Sequence, residues 1–328
     1  MLTSFARTWS RGRLAVAAIL LASPAPALAA QPAPDAVQPG GPIVVTGERA
    51  DPAALREQAR RFVQGTGAAR GQIPAARWAD PVCPRVIGIH ESYGRIVEAR
   101  IRTIAREARI ALGADGCRPN LTVTFAHDAK DLVRRIAQRR PRALADVPVD
   151  RRGALVDGAA PIRWWYTTDL RSYDSTSASS SQPPSVGGNA EGGGPMLPGV
   201  PTFQHYNSSA ISTQAVRVIR SATVLVDLAG AEGSSLEAVA DYAGFVGLAE
   251  IRTSDPIPRP SILGLFGVER DRRALSDWDL AFLRTLYRLP LDRIARHHRG
   301  LLRRGLLLPE AGDESLPWRV TDQAERLR

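Results

Sequence analysis

From Ser92 to Gly113 the chain reads SYGRIVEARIRTIAREARIALG, with Val97, Ile101, Ile104, Ala108 and Leu112 recurring at spacings of 4, 3, 4 and 4 residues. Arginines and glutamates fill the other positions, so the pattern predicts an amphipathic helix closed by Gly113. In NLTVTFA, Asn120 to Ala126, Leu121, Val123 and Phe125 alternate with threonines, the period of a half-buried strand. A second helix is predicted from Ala129 to Arg140, stopped by Pro141. PIRWWYTT, from Pro161 to Thr168, reads as another strand. Its neighbouring aromatics Trp164, Trp165 and Tyr166 suit either core packing or a sugar or peptide platform. SATVLVDLAG, from Ser221 to Gly230, has the continuous β-branched run of a buried strand. A glycine-containing turn follows, then a helix containing AVADYAGFVGLAEI, Ala238 to Ile251. In LSDWDLAFLRTLY, Leu275 to Tyr287, Ser276 and Asp279 form an S-x-x-D capping box ahead of a stripe of Trp278, Phe282 and Leu286. The order helix, strand, helix predicts an α/β or α+β layer, of which α+β is the class expected here.

The ends read differently. Residues 1–29 place Arg7, Arg11 and Arg13 before an apolar run from Leu14 to Leu21 and an Ala27-Leu28-Ala29 cleavage site, the pattern of a secretory signal peptide. The apolar run is shorter than the roughly 20 residues a bilayer-spanning helix needs, and nothing downstream is long enough either. The expected location is therefore periplasmic or extracellular, with no transmembrane segment after cleavage. Residues 30–54 read as a flexible lead. Within it IVVTGER resembles the segment by which outer-membrane receptors pair with the energy-transducing protein TonB, and equally suits an ordinary edge strand or linker. The folded body is expected at 55–308, with a Ser/Gly/Pro-rich disordered insertion at 171–200, and a tail at 309–328.

Composition narrows the partners. Loss of the three signal arginines takes the formal charge from +10 to +7, and Lys130 is the only lysine. Arginine-rich surfaces suit phosphate or carboxylate partners, but an exported protein rarely meets nucleic acid, so no nucleic-acid partner is expected. The run LDRIARHHRGLLRRGLLL, Leu291 to Leu308, joins Leu291, Ile294, Ala295, Leu301 and Leu302 to five arginines. It fits a helix docked on the body with a solvated arginine face, or an interfacial helix meeting an anionic envelope component. Cys83 and Cys117 are the only cysteines, and export favours a disulfide between them. Closing a loop of about 35 residues, it would stabilise the fold by roughly 3–4 kcal/mol in the chain-entropy model.

Zinc proteases of the zincin class carry H-E-x-x-H on a helix, so that two imidazoles one turn apart reach one metal. ADYAGFVGL resembles that helix with its ligands erased: Ala240 and Gly244 fall at the histidine positions, Asp241 at the glutamate and Gly247 at the following glycine. Glu250 falls where some zincins place a third ligand, although by itself it reads as a surface carboxylate. SILGLF, Ser261 to Phe266, resembles their turn beneath the metal, and LSDWDLAFLRTLY resembles their closing helix. The likeness spans Val239 to Tyr287 and extends to uncharacterised exported proteins of Gram-negative bacteria. It implies a zincin-like mixed sheet with an amphipathic helix and a degenerate active-site helix. His90, His127, His205, His297 and His298 offer no H-x-x-x-H pair, and no nucleophile elbow or phosphate loop is present. The resulting expectation is a non-catalytic module without metal or cofactor that binds a peptide or an envelope component, with a hydrolase using an unrecognised site in the same cleft as the alternative. In a retained cleft, Ala240 and Gly244 would face open space with Asp241 at the rim. In a plain core helix, apolar side chains would cover them.

Overall fold

A computed structural model of the protein describes residues 51–172, 213, 215–252, 260–267 and 271–308. Residues 1–29, read above as a signal peptide, the IVVTGER segment, the bulk of the Ser/Gly/Pro-rich stretch and the span 309–328 lie outside them. At both inner boundaries structure extends further than the sequence pattern indicates. Helix α1, Pro52–Thr66, begins inside the segment read as a lead, because Asp51 accepts the N–H groups of Ala53 (2.9 Å) and Ala54 (3.3 Å) and Pro52 presets the first turn. Strand β4, Ile162–Ser172, takes in the first two residues of the span read as insertion.

Five strands form one mixed sheet, so the α+β expectation holds at the level of class. β1 (Arg77–Trp78), β2 (Pro84–Ile87), β3 (Leu121–Ala126) and β5 (Ala215–Asp227) are mutually parallel where they pair, in the order β1-β5-β3-β2. β4 runs antiparallel along β5, with a register shift at Thr167/Thr168 that leaves Arg220 as the extra residue on β5. β5 is thus the hub, which explains its continuous apolar run: Val218, Ile219, Ala222, Val224, Leu225 and Val226 are all buried.

The main core covers one face of this sheet with α1, α2 (Glu91–Glu107), α5 (Leu236–Leu248), α6 (Asp277–Arg288) and α7 (Ala295–Leu307). A smaller cluster of Ala129, Val133, Leu144, Val147, Trp165 and Leu225 lies between the other face and α3 (Ala129–Arg139), a 3-10 turn at Pro141–Leu144 and α4 (Val149–Asp157). The period-2 pattern of β4 therefore divides its aromatics, with Trp165 in the small cluster and Trp164 and Tyr166 against the main core.

Helix α2 stops at Glu107, short of the Gly113 the periodicity suggests. Arg109 adopts a left-handed φ of 58°, and the Ile110 N–H reaches back to the Ala105 carbonyl (2.7 Å), a Schellman-type ending built on arginine. Leu112 then pairs with Val82 in a parallel bridge. The Cys83–Cys117 disulfide closes beside it, with Cα atoms 6.0 Å apart, and the described residues hold no free cysteine. Gly113 is required there, since a Cβ would lie 2.8 Å from the Cys117 sulfur.

The arginine-rich run forms α7, which docks on α1 and α6 through Ala295, His298, Leu302 and Leu306. His298 is fully buried: Nδ1 accepts the Ala75 N–H (3.1 Å), and Nε2 lies 2.9 Å from the Pro290 carbonyl and donates to it. Both ring nitrogens are satisfied only in the neutral ring. Burial holds the pKa below the ordinary value of 6.5, outweighing the opposite pull of the Pro290 carbonyl and Asp292. Below about pH 6.5 the unfolded chain takes up a proton that the folded chain resists, so this group's contribution is complete above that pH and is lost as pH falls toward the folded value. The unfolding free energy from urea titration should drop between pH 7 and pH 5, by up to about 1.4 kcal/mol per pH unit from this residue. His298→Gln should flatten that slope; an unchanged slope would place the acid sensitivity elsewhere.

Candidate functional site

Helix α5 is the reference point for the site. Every residue from Ala238 to Leu248 is buried, as expected of a helix apolar all round. Its last carbonyls cannot reach water, and side chains from three other elements satisfy them. Trp78 Nε1 donates to Gly247 (3.0 Å) and the Tyr287 hydroxyl to Leu248 (2.7 Å). The Tyr166 hydroxyl lies 2.6 and 2.8 Å from the carbonyls of Val246 and Ala249, donating to one of them, while accepting the Ile251 N–H (3.0 Å). Burial pushes the Tyr166 hydroxyl well above its ordinary pKa, so it stays protonated as a cap.

The positions aligned with zincin ligands all lie in this packing. A Cβ on Gly244 would meet Ile104 Cδ1 at 2.8 Å and Ile101 Cγ1 at 3.6 Å, so the glycine lets α5 approach α2. Gly247 does the same toward Leu121, whose Cδ1 lies 2.7 Å from such a Cβ. Ala240 is fully buried. Asp241, 1% exposed, receives Arg100 from α2 through both oxygens and accepts the Leu275 N–H (2.7 Å), which joins α2, α5 and the approach to α6. Of the two arrangements open to this helix, the structure has the covered one.

The SILGLF turn is held by Asp279 of α6. Its carboxylate accepts from the Ser261 hydroxyl (2.6 Å), the Ile262 N–H (2.8 Å) and Ser276, completing the capping box read from the sequence. Burial pushes the Asp279 carboxyl up, and these donors pull against it.

Glu250 is 4% exposed, where the sequence reading favoured a surface carboxylate. Arg217 of β5 grips it bidentately at 2.8 and 2.8 Å, and Arg252 adds bonds of 2.9 and 2.5 Å. Burial alone would raise the Glu250 carboxyl; the two guanidiniums outweigh it and hold the pKa below the ordinary value. Among the described residues no group of three or more His, Cys, Asp or Glu is placed to hold a metal. His90 caps α2, His127 and His297 are exposed, His298 is buried as above, and His205 lies outside the described residues.

The open space lies elsewhere, along the outer edge of β4. A cavity of about 470 Å³ runs between the α4 lip, with Val147, Arg151 and Leu155, and a second lip formed by Tyr242, Ile251, Arg252 and Phe266. The size is that of a ligand site, for which roughly 300–1,000 Å³ is usual. Its aromatic wall is a chain of ring contacts, Trp164 edge-on to Tyr242 (5.9 Å) and Tyr242 tilted against Phe266 (5.6 Å), with Trp164 Nε1 fixed on the Ile251 carbonyl (2.8 Å). β4 pairs only with β5 among the described residues. Because the Asp227 N–H bonds to the Pro161 carbonyl (2.8 Å), the antiparallel alternation turns the backbone groups of Ile162, Trp164 and Tyr166 away from β5, on the cavity side. The next such N–H, of Thr168, is taken by Asp146 (2.6 Å).

Of the five aligned positions, only Glu250 borders this cavity; Ala240, Asp241, Gly244 and Gly247 do not. The sequence reading missed Arg151, Arg163, Arg217 and Arg252. An arginine inside the apolar strand PIRWWYTT was the one available signal, for Arg163. No family model, curated protein or solved structure matches the chain.

Proposed function

We propose that the protein is an exported, non-catalytic binding module that holds an extended peptide along the outer edge of β4. The observation that carries this is the juxtaposition of outward-turned β4 backbone groups with an aromatic-walled cavity of peptide-binding size. Backbone hydrogen bonds would supply affinity, and alternate side chains would enter the cavity. Export to the periplasm or beyond belongs to the same proposal, supported by the arginine-led apolar amino terminus and the Cys83–Cys117 bond. No helix among the described residues is long and apolar enough to cross a membrane. The zincin likeness enters as a proposal about fold: helix, turn and closing helix follow in the expected order, and Asp279 ties the turn to the closing helix.

The test uses a library of N-acetylated, C-amidated hexapeptides, followed by tryptophan emission because Trp164 and Trp165 border the cavity. Retained peptides should lose binding when the bonds facing β4 are N-methylated, and should remain uncleaved after long incubation. Cleavage would favour the hydrolase alternative. Indifference to N-methylation would overturn strand addition.

A further inference from the structure

Three tyrosines are buried among the described residues, and two of them serve the fold. The hydroxyls of Tyr166 and Tyr287 cap the carbonyls at the end of α5. Tyr242 differs. It is 7% exposed, yet its hydroxyl has no hydrogen-bond partner among the described residues, and burial is the only influence on its titration. Burial pushes the pKa above the ordinary value of 10.0, so the group stays protonated and keeps a donor to offer. The hydroxyl is not one of the side-chain atoms sealed inside the protein, so it opens onto the cavity that Tyr242 lines.

The surroundings restrict what such a hydroxyl can bind. The ring is held between Trp164 (5.9 Å) and Phe266 (5.6 Å), which keeps it from swinging to another partner. Ile251 and Leu263 complete this side of the cavity, and its charged members, Glu250 and Arg252, are bonded to each other. A charged side chain would meet no free counter-charge on this side, whereas an aromatic ring would meet the edge and face contacts that rings prefer. On a strand added to β4, the residue opposite Trp164 shares its face of the sheet, with Cβ atoms about 4.5–5.5 Å apart. Trp164 turns toward the main core, as Tyr242 does, so that residue's side chain is directed along the aromatic wall.

We infer that the cavity selects peptides carrying a tyrosine opposite Trp164, with Tyr242 as the residue that recognises its hydroxyl. This rests on the peptide-binding proposal and adds the identity of the ligand's side chain. Phenylalanine would fit the wall but cover the Tyr242 O–H without giving it an acceptor, and tryptophan offers only a donor. Two phenols meet both needs, since each can donate and accept.

The test takes hexapeptides retained from the library and places Tyr and Phe at every position in turn, because the register is set by binding. On the full chain one position should favour Tyr over Phe by about tenfold, the worth of a hydrogen bond whose loss strands its partner. In Tyr242→Phe that ratio should narrow to within about twofold, with the loss falling on the Tyr peptide. Because the hydroxyl makes no bond within the described protein, the variant should keep the wild-type urea midpoint. A clear drop would show that the hydroxyl serves the fold, and the inference would be overturned. If Tyr and Phe bind equally at every position of the wild type, hydroxyl recognition is overturned and the peptide site stands. If a preference exists and Tyr242→Phe retains it, Tyr242 does not read the hydroxyl and the inference falls. If no peptide binds, this inference and the strand-addition reading fall together.

Discussion

The triple variant Ala240→His, Asp241→Glu, Gly244→His is expected to lose its native fold rather than gain zinc. Restoring the H-E-x-x-H pattern would create a metal site only if positions 240 and 244 faced open space. In the structure a single Cβ on Gly244 already comes within 2.8 Å of Ile104 Cδ1, and Ala240 is fully buried. Two imidazoles at those places would overpack the α2–α5 contact and bury polar nitrogens without partners. Lengthening Asp241 would displace the carboxylate that receives Arg100 and the Leu275 N–H. Overpacking costs about 1–3 kcal/mol and each unsatisfied polar group a similar amount, so the combined loss is about 4 kcal/mol or more, a large fraction of a domain's stability. Gly244→Ala is the control. Ile104 Cδ1 is the end of a flexible side chain and alanine favours a helix by about 1 kcal/mol, so that variant should stay within about 1 kcal/mol of wild type. Urea unfolding and equilibrium dialysis against zinc decide the matter. A folded triple variant with stoichiometric zinc would show that this helix can reopen onto a metal site.

Why the pattern on α5 was ambiguous follows from what small residues do. Ala240, Gly244 and Gly247 recur at helical spacing, and this spacing serves a metal-bearing face and a close helix crossing equally well. Only the partner decides, and the partners are Ile101 and Ile104 of α2 and Leu121 of β3, far away in sequence. The α+β class, β3, α3, the core of β5 and the Ser276–Asp279 capping box were legible because each depends on local period or local hydrogen bonding. The two-residue β1 and the four-residue β2 were not, since such short strands carry no measurable alternation. The end of α2 was misjudged because Leu112 keeps helical spacing while belonging to a bridge with Val82. The cavity was beyond reach for a different reason. Its arginines come from α4, β4 and the segment after α5, with Arg217 behind them on β5, and each alone reads as one more arginine in an arginine-rich chain.

Glu250→Ala should be among the most destabilising single substitutions in the domain, although the sequence marks this residue as an ordinary surface acid. Arg217 and Arg252 are only 12% and 17% exposed, and their charges are tolerated there because Glu250 lies between them. Removing the carboxylate leaves two guanidiniums side by side in a partly dehydrated wall. Arg217 would keep only the Pro74 carbonyl (3.0 Å) and a long contact to Thr168 (3.4 Å). Breaking a buried ion pair from one side costs about 3–5 kcal/mol. Removing Arg217 as well should recover part of that loss, since the pair is coupled and the costs do not add. The pH dependence follows in sign from the depressed Glu250 pKa: the triad's contribution is complete above the unfolded carboxyl value of 4.5 and is lost as pH falls through the lower folded value. Glu250→Gln should therefore show weaker acid sensitivity below pH 4.5 than wild type, in addition to lower stability at pH 7. Urea midpoints for wild type, the two Glu250 variants and the double variant with Arg217→Ala measure all of this. A loss below about 1 kcal/mol for Glu250→Ala would mean that water reaches the arginines freely, as in an exposed ion pair, and that the cavity wall is not the dehydrated surface its burial indicates.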